Sequence, residues 1–424
     1  MKRRAFVIAG AAASLGAALG LWQHSRERAR QLGSRSPLVR DPDGLLDLPP
    51  GFRYRILQRE GERMSDDYRV PGRPDAMATF SLENGLFALM RNHELSDVPG
   101  RGAYFADTEV PDLAYDARSM GGVTRMVLDA RGNLVSSNLV LTGTTNNCAA
   151  GVSPWGYLTC EESVAANHGY VFLCDVHAER VAAPRKIPAY GRFRHEAAAI
   201  DPLTCAAYLT EDRPDGCLYR FMPKHPGAPF SAGRLQAMGV RGAPGCELAT
   251  SAEPGRPLEV TWVDVPAEAG ERDELRQEAK ARGAAVVRRG EGIWRVGDGF
   301  AFTSTTGGRE GYGQIFHITP SADGGTLALL FESDDRATLD MPDNLTLAPW
   351  GDLIVCEDNQ RSEHLRIVTR DGRVLPLAHN AQSAGEFAGA CFSPSGALLL
   401  VNLQEEGLTL ALEGPFQRYA TGAV

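Results

Sequence analysis

Polar residues in this chain recur at the ends of short apolar runs, and that rhythm predicts its architecture. A turn containing glycine or proline, an apolar run of strand length and a polar cluster occur at 84–94, ending in Asn92-His93-Glu94, and at 154–162, ending in Glu161-Glu162. The pattern returns at 205–212, ending in Glu211-Asp212, and at 299–305, ending in Thr303-Ser304-Thr305. It recurs at 349–358, ending in Glu357-Asp358, and at 394–404, with Asn402 and Gln404 at its close. Helical periodicity is nearly absent, and only the alanine- and charge-rich stretch from Ala267 to Arg282 predicts a helix. Imperfect β repeats that cannot each bury their own face predict an all-β fold, a six-bladed β-propeller with a small helical insertion. In a propeller the inner strands converge on one axis, so a polar group at the same place in each forms a ring of oxygen ligands. Carboxylates are poor strand formers, and a buried ring of them is costly unless cations neutralise it. Taken singly, each cluster is equally well explained as a strand cap or the start of a loop. Taken together, they predict a metal centre.

The first residues read as an address. Lys2-Arg3-Arg4, followed by Ala5-Phe6-Val7-Ile8 and a small apolar run to Leu21, predicts a twin-arginine-type export signal or anchor over 1–30. A charged linker over 31–44 and a single propeller domain over 45–424 follow. The expected location is the periplasm or cell exterior, reached through the twin-arginine export machinery, with the membrane touched only through an uncleaved signal. That route carries folded proteins and suits a metal loaded before export. The net charge of −9, with no basic patch, argues against nucleic-acid binding. An acidic protein handling an anionic substrate needs local positive charge, which bound cations supply. None of the eight cysteines shows Cys-x-x-Cys spacing, and Cys160, Cys174 and Cys356 sit in apolar runs that predict small buried side chains.

The most specific segment is Asn147-Cys148-Ala-Ala-Gly151-Val-Ser-Pro154-Trp155-Gly156-Tyr-Leu-Thr-Cys160-Glu161-Glu162. It resembles the PhoX-type alkaline phosphatases, in which an Asn-Cys pair, a small-residue turn, Pro-Trp-Gly and Cys-Glu-Glu recur. Gly191-Arg-Phe-Arg-His195-Glu196, Arg289-Gly-Glu291-Gly292, Phe302 to Gly308, Pro342-Asp343-Asn344-Leu345 and Gly389 to Asn402 extend the likeness in order along the chain. The resemblance implies a propeller that carries ferric iron and calcium and hydrolyses small phosphate monoesters. It implies Cys148 as a catalytic thiolate ligand to iron, and Glu162, Glu196 and Glu291 as carboxylate ligands to iron or calcium. Arg289 would hold the substrate phosphate, and Glu211, Asp212, Asp343, Glu357 and Asp358 would form the calcium shell. Glu161, Asn92, Glu94, Asn147, Asn344 and Asn402 are further candidates, and His195 reads as a supporting residue. The chain is compact for this family: it is shorter, and its 128–145 region lacks an insertion.

The residue types suit these roles. Clustered carboxylates and amides fit calcium, a thiolate selects a transition metal, and a guanidinium grips phosphate through two parallel N–H bonds. A calcium-dependent propeller lactonase or diesterase would need no thiolate and no phosphate-binding arginine. A non-catalytic calcium-binding propeller is the other alternative. No Gly-x-Ser-x-Gly elbow, nucleotide-binding glycine loop or His-Glu-x-x-His occurs.

Overall fold

The structure is a computed structural model that describes residues 38–96, 100–106, 108–266 and 272–422. The expected export signal, residues 31–37 of the linker and residues 267–271 of the expected helix lie outside these. The described chain is all-β with a few short helices, in a propeller-like arrangement of antiparallel sheets. All six apolar runs picked out by their polar ends are strands: Phe87–His93, Gly156–Glu161, Ala207–Glu211, Gly299–Ser304, Leu353–Glu357 and Leu399–Leu403. The expected helix is shorter, covering Leu275–Ala281, and Leu248–Ser251 and Phe416–Thr421 form two further short helices.

The sheets number five rather than six among the described residues. Three have four strands and one has five. The last has nine because Leu258, Glu259 and Val260 of strand Leu258–Val265 pair with Leu327, Thr326 and Gly325 of strand Gly325–Glu332, fusing two arms at their outer edges. The expectation of six separate modules is corrected there. Edge pairing satisfies backbone groups that would otherwise face solvent, and local sequence carries no sign of it. The chain closes on itself where Arg53–Arg59 pairs with Leu408–Glu413, so both termini contribute to one sheet.

Each sheet is apolar on both faces because it packs between neighbours. Leu158, Tyr190, Phe193, Tyr219 and Phe221 fill one such interface, and Ile354, Ile367, Leu377, Phe387, Leu399 and Leu410 fill another. Cys160, Cys174 and Cys356 lie in these cores, as expected of small apolar side chains.

The strands nearest the axis are Pro74–Ser81, Asn147–Ser153, His195–Ile200, Gly290–Val296, Pro342–Leu347 and Phe387–Phe392. Each begins with one residue paired to the end of the neighbouring strand: Pro74 with His93, Asn147 with Glu161, His195 with Glu211, Gly290 with Ser304, Pro342 with Glu357, and Phe387 with Leu403. In the first five the register slips immediately afterwards, and in the sixth it slips one pair later, after Ala388 with Asn402. A bulge re-aims the side chain it carries. Repeated at one place around the axis, it presents Asp75, Cys148, Glu196, Glu291 and Asp343 at equivalent positions, with Gly389 as the sixth. Polar side chains clasp several bulges from the preceding unit: Asn92 Nδ2 donates to the Cys148 carbonyl (2.6 Å), Thr210 to Glu291 (2.5 Å), Thr303 to Asp343 (2.8 Å) and Asn402 to Asp75 (2.5 Å).

Gly389 shows how tight this ring is. Its φ of +65° lies in the left-handed region, and an added Cβ would sit 2.3 Å from the Asp75 carbonyl oxygen. Gly389→Ala is expected to destabilise the protein by more than about 2 kcal/mol, combining left-handed strain with displaced backbone. Chemical denaturation checks this, and an unchanged midpoint would show that the Asp75 bulge can give way.

Candidate metal centre

The bulge residues and the residues just past the paired strand ends meet in one cavity of about 220 Å³ on the axis. Asp75, Cys148, Glu196, Glu291 and Asp343 come from the first set, and Glu94, Glu162, Asp212 and Asp358 from the second. Among the described residues their ligand atoms form four groups, each within 4.8 Å: Asp75, Glu94 and Cys148; Cys148, Glu162 and Glu196; Glu196, Glu291 and Asp343; Asp343, Asp358 and Glu386. Cys148, Glu196 and Asp343 each belong to two groups, so the arrangement is a chain of adjoining sites rather than isolated ones.

The electrostatics favour cations. Burial and neighbouring carboxylates push Asp75, Glu196, Glu291 and Glu386 well above the ordinary carboxyl range. Burial, then Asp212, raises Glu162 to about 8, and burial with Asp358 raises Asp343 to about 7. Burial and the carboxylates of Glu196 and Glu94 likewise hold the Cys148 thiol high, with its Sγ 3.2 Å from Glu162 Oε2. Burial also opposes ionisation of Asp212, but Arg289 overcomes it and holds this carboxyl below its usual range. Arg289 Nε donates to Asp212 Oδ1 (2.8 Å) and its Nη2 to Glu291 Oε1 (2.7 Å), while Nη1 lies 3.5 Å from Asp358 Oδ2. One guanidinium thus bridges three carboxylates. Protons or metal ions must neutralise the remainder, and a thiol among hard oxygen donors fits a centre with more than one kind of metal.

Several expected ligands lie outside the cavity. Side chains alternate along a strand, so of each acidic pair one residue turns into the sheet and the next reaches the axis. Glu161 accepts from the Thr145, Gly169 and Tyr170 amides and contacts His168 Nδ1 at 2.6 Å. Glu211 accepts from the Cys217 amide and the Tyr219 hydroxyl (3.0 Å), and Glu357 from the Asp340 amide and Arg366 Nε (2.9 Å). These carboxylates hold loops, and neither Glu211 nor Glu357 joins a ligand group. Asn92 and Asn402 clasp bulges, as described above. Asn147 accepts from Thr144 of the preceding sheet and donates to Thr159 of its own. Asn344 donates to Asp343 Oδ1 and accepts from the Gly389 amide, steadying a cavity residue from outside. His195 stacks on Phe193, and burial lowers its pKa to about 3, so it is a neutral packing residue.

Asp75, Glu386, Arg73, Arg194 and Gln360 are missing from the sequence reading. A signal for three of them exists. Arg73-Pro-Asp75, Arg194-His-Glu196 and Arg289-Gly-Glu291 repeat one Arg-x-acid pattern at the same point of three axial strands. Glu386 lies just before the sixth axial strand and lines the cavity on the side where Gly389, the bulge residue there, has no side chain to contribute.

Comparison with known proteins agrees with this geometry. The family model described as alkaline phosphatase PhoX matches residues 34–139 and 133–407. The structure of Pseudomonas fluorescens PhoX in complex with vanadate, a transition-state analogue, superposes with a TM-score of 0.69 at 16% identity, covering 89% of this chain and 97% of that one. A gluconolactonase of Xanthomonas campestris reaches a TM-score of 0.46 at 11% identity, over 86% of this chain and 99% of that one. No curated protein sequence matches. With the family model spanning most of the chain and its carboxylates, thiol and arginine gathered in one axial cavity, the protein belongs to the PhoX alkaline phosphatases and is a metal-dependent phosphatase.

Proposed function

We propose that the axial cavity holds ferric iron and calcium and that the protein hydrolyses small phosphate monoesters outside the cytoplasm. The observation that carries this reading is the shared position of Cys148, between the Asp75–Glu94 pair and the Glu162–Glu196 pair. A thiolate favours a transition metal, and the oxygen-only groups around Asp343 favour calcium. When bound, such cations supply Lewis-acid polarisation of the phosphoryl oxygens. Arg289, tethered by Asp212 and Glu291, orients the phosphate by bidentate donation and offsets charge that builds on its oxygens during transfer. At about 220 Å³ the cavity suits a phosphoryl group and its ligands rather than a bulky alcohol, so the leaving group stays toward solvent. Broad tolerance of the alcohol is expected.

The same reading counts the nine-stranded sheet as two blades sharing an outer edge, since both its terminal strands lie on the axis, and so takes the fold as a six-bladed propeller over 45–424. It also retains export by the twin-arginine route, with residues 1–30 as the only membrane attachment.

Elemental analysis and an absorption spectrum of natively exported protein test the metal assignment. Wild type is expected to contain iron and calcium and to show a thiolate-to-iron charge-transfer band. Cys148→Ser is expected to lose that band and most of the iron. Calcium without iron in the wild type, or full aryl-phosphate hydrolysis by Cys148→Ser, would favour a calcium-dependent lactonase or diesterase instead.

A further inference from the structure

We infer that Arg194 is a second phosphate-binding residue, acting beside Arg289 on the oxygens of the substrate phosphoryl group. This inference rests on the phosphatase reading. Arg194 and Arg289 occupy the same register, each immediately before the first paired residue of an axial strand. They flank Asp212, which feels the charge of both. The Arg194 guanidinium is partly exposed beside the cavity lining, in contact with Glu162 and within reach of the charges of Asp212, Cys148 and Glu196.

Two of the three equivalent arginines are fully engaged by protein groups, Arg289 by Asp212, Glu291 and Asp358. Arg73 donates to the Glu94 carbonyl (3.1 Å), to Glu94 Oε2 (2.8 Å) and to Glu405, which saturates its fork with protein acceptors. Among the described residues Arg194 has a single ion-pair partner, Glu162, and its buried Nε has no hydrogen-bond partner. The Arg194 Nη2 is in direct contact with Glu162 Oε1, which leaves Nε as the uncommitted donor. A buried guanidinium N–H left unpaired is costly, and such donors remain where a ligand completes them. A tetrahedral phosphate offers enough oxygens to engage two forks from adjacent strands, and its charge matches the two arginines better than a neutral ester would. The ligand class is therefore the phosphoryl dianion common to substrate and product.

The test is titration of inorganic phosphate into metal-loaded wild type, Arg194→Gln and Arg194→Lys, with bound metal measured in each sample. Loss of one charge-assisted fork is expected to weaken phosphate binding about 10- to 100-fold in Arg194→Gln at unchanged metal content. Arg194→Lys, which keeps the charge but not the fork, is expected to fall between. Inorganic phosphate should inhibit aryl-phosphate hydrolysis more weakly in the same order. Equal phosphate affinity in wild type and Arg194→Gln overturns the inference. So does a loss of affinity that tracks a loss of metal, because Arg194 would then merely position Glu162. A wild type that neither binds phosphate nor hydrolyses an ester overturns the phosphatase reading itself, and this inference with it.

Discussion

Removing the cations with a chelator is expected to abolish phosphate-ester hydrolysis and to leave a protein that becomes less stable as the pH rises from about 5 to 8. The cavity gathers Asp75, Glu162, Glu196, Glu291, Asp343 and Glu386, all with raised pKa values. Against them stand Arg73, Arg194 and Arg289, each already paired with a carboxylate. In the unfolded chain these groups titrate near 4 to 4.5, whereas in the metal-free native state Asp343 holds its proton to about 7 and Glu162 to about 8. Between those limits the native state binds more protons than the unfolded one, so unfolding free energy falls with rising pH. Each pKa unit corresponds to about 1.4 kcal/mol, and a net loss of several kcal/mol for the set would lower the melting temperature by roughly 5–10 °C. Calcium replaces the protons as counter-charge and is expected to restore stability at pH 8 more than at pH 5. Calorimetry at the two pH values, with and without calcium, measures this. A metal-free melting temperature that does not fall toward pH 8 would mean that solvent or structural relaxation already neutralises the cavity.

Arg289→Gln is expected to lower kcat/KM for an aryl phosphate by about 10²- to 10³-fold, the scale seen when a preorganised donor to developing charge is removed. The guanidinium is placed by three carboxylates and a left-handed backbone at φ 49°. Glutamine has a Cβ as arginine does, so the substitution leaves the backbone cost unchanged and isolates the side chain. Arg289→Lys keeps the charge but cannot make two parallel N–H bonds, and is expected to recover only a small part of the loss. The effect should appear in kcat as well as KM, because phosphate charge grows at the oxygens during transfer. Activity within twofold of wild type in Arg289→Gln would remove this residue from phosphate recognition, leaving Asp212 and Glu291 as its reason for being there.

Much of the candidate site was legible in the sequence because its chemistry sits in short motifs. Glu162, Asp212 and Asp358 follow strands whose apolar runs stand out locally, and Cys148, Glu196, Glu291 and Asp343 lie in segments that resemble a known family. Which member of an acidic pair reaches the axis was not legible. Glu161 and Glu162 are chemically alike, and only the pairing of Asn147 with Glu161 sets which one faces the sheet and which the cavity. Asp75 lies outside the polar strand ends, and the Arg-x-acid likeness of Arg73-Pro74-Asp75 to Arg194-His195-Glu196 and Arg289-Gly290-Glu291 gains meaning only when the register sets the three strands at one place around the axis.

By itself the sequence determined the all-β class, the strands that end in polar residues, the burial of cysteines such as Cys160 and Cys356, and part of the centre's chemistry, its thiol, Arg289 and most of its carboxylates. These depend on side-chain chemistry and on patterns within about ten residues, which survive without knowledge of the partners. Tertiary structure alone decided the repeated bulge that turns Asp75, Cys148, Glu196, Glu291 and Asp343 toward one point, and the outer-edge pairing that fuses two arms into one sheet. It also decided the contrast between a saturated Arg73 and an incompletely bonded Arg194. Those properties arise from pairings between residues far apart in the chain, where register and ring closure set direction and a one-residue shift would send each side chain to the opposite face.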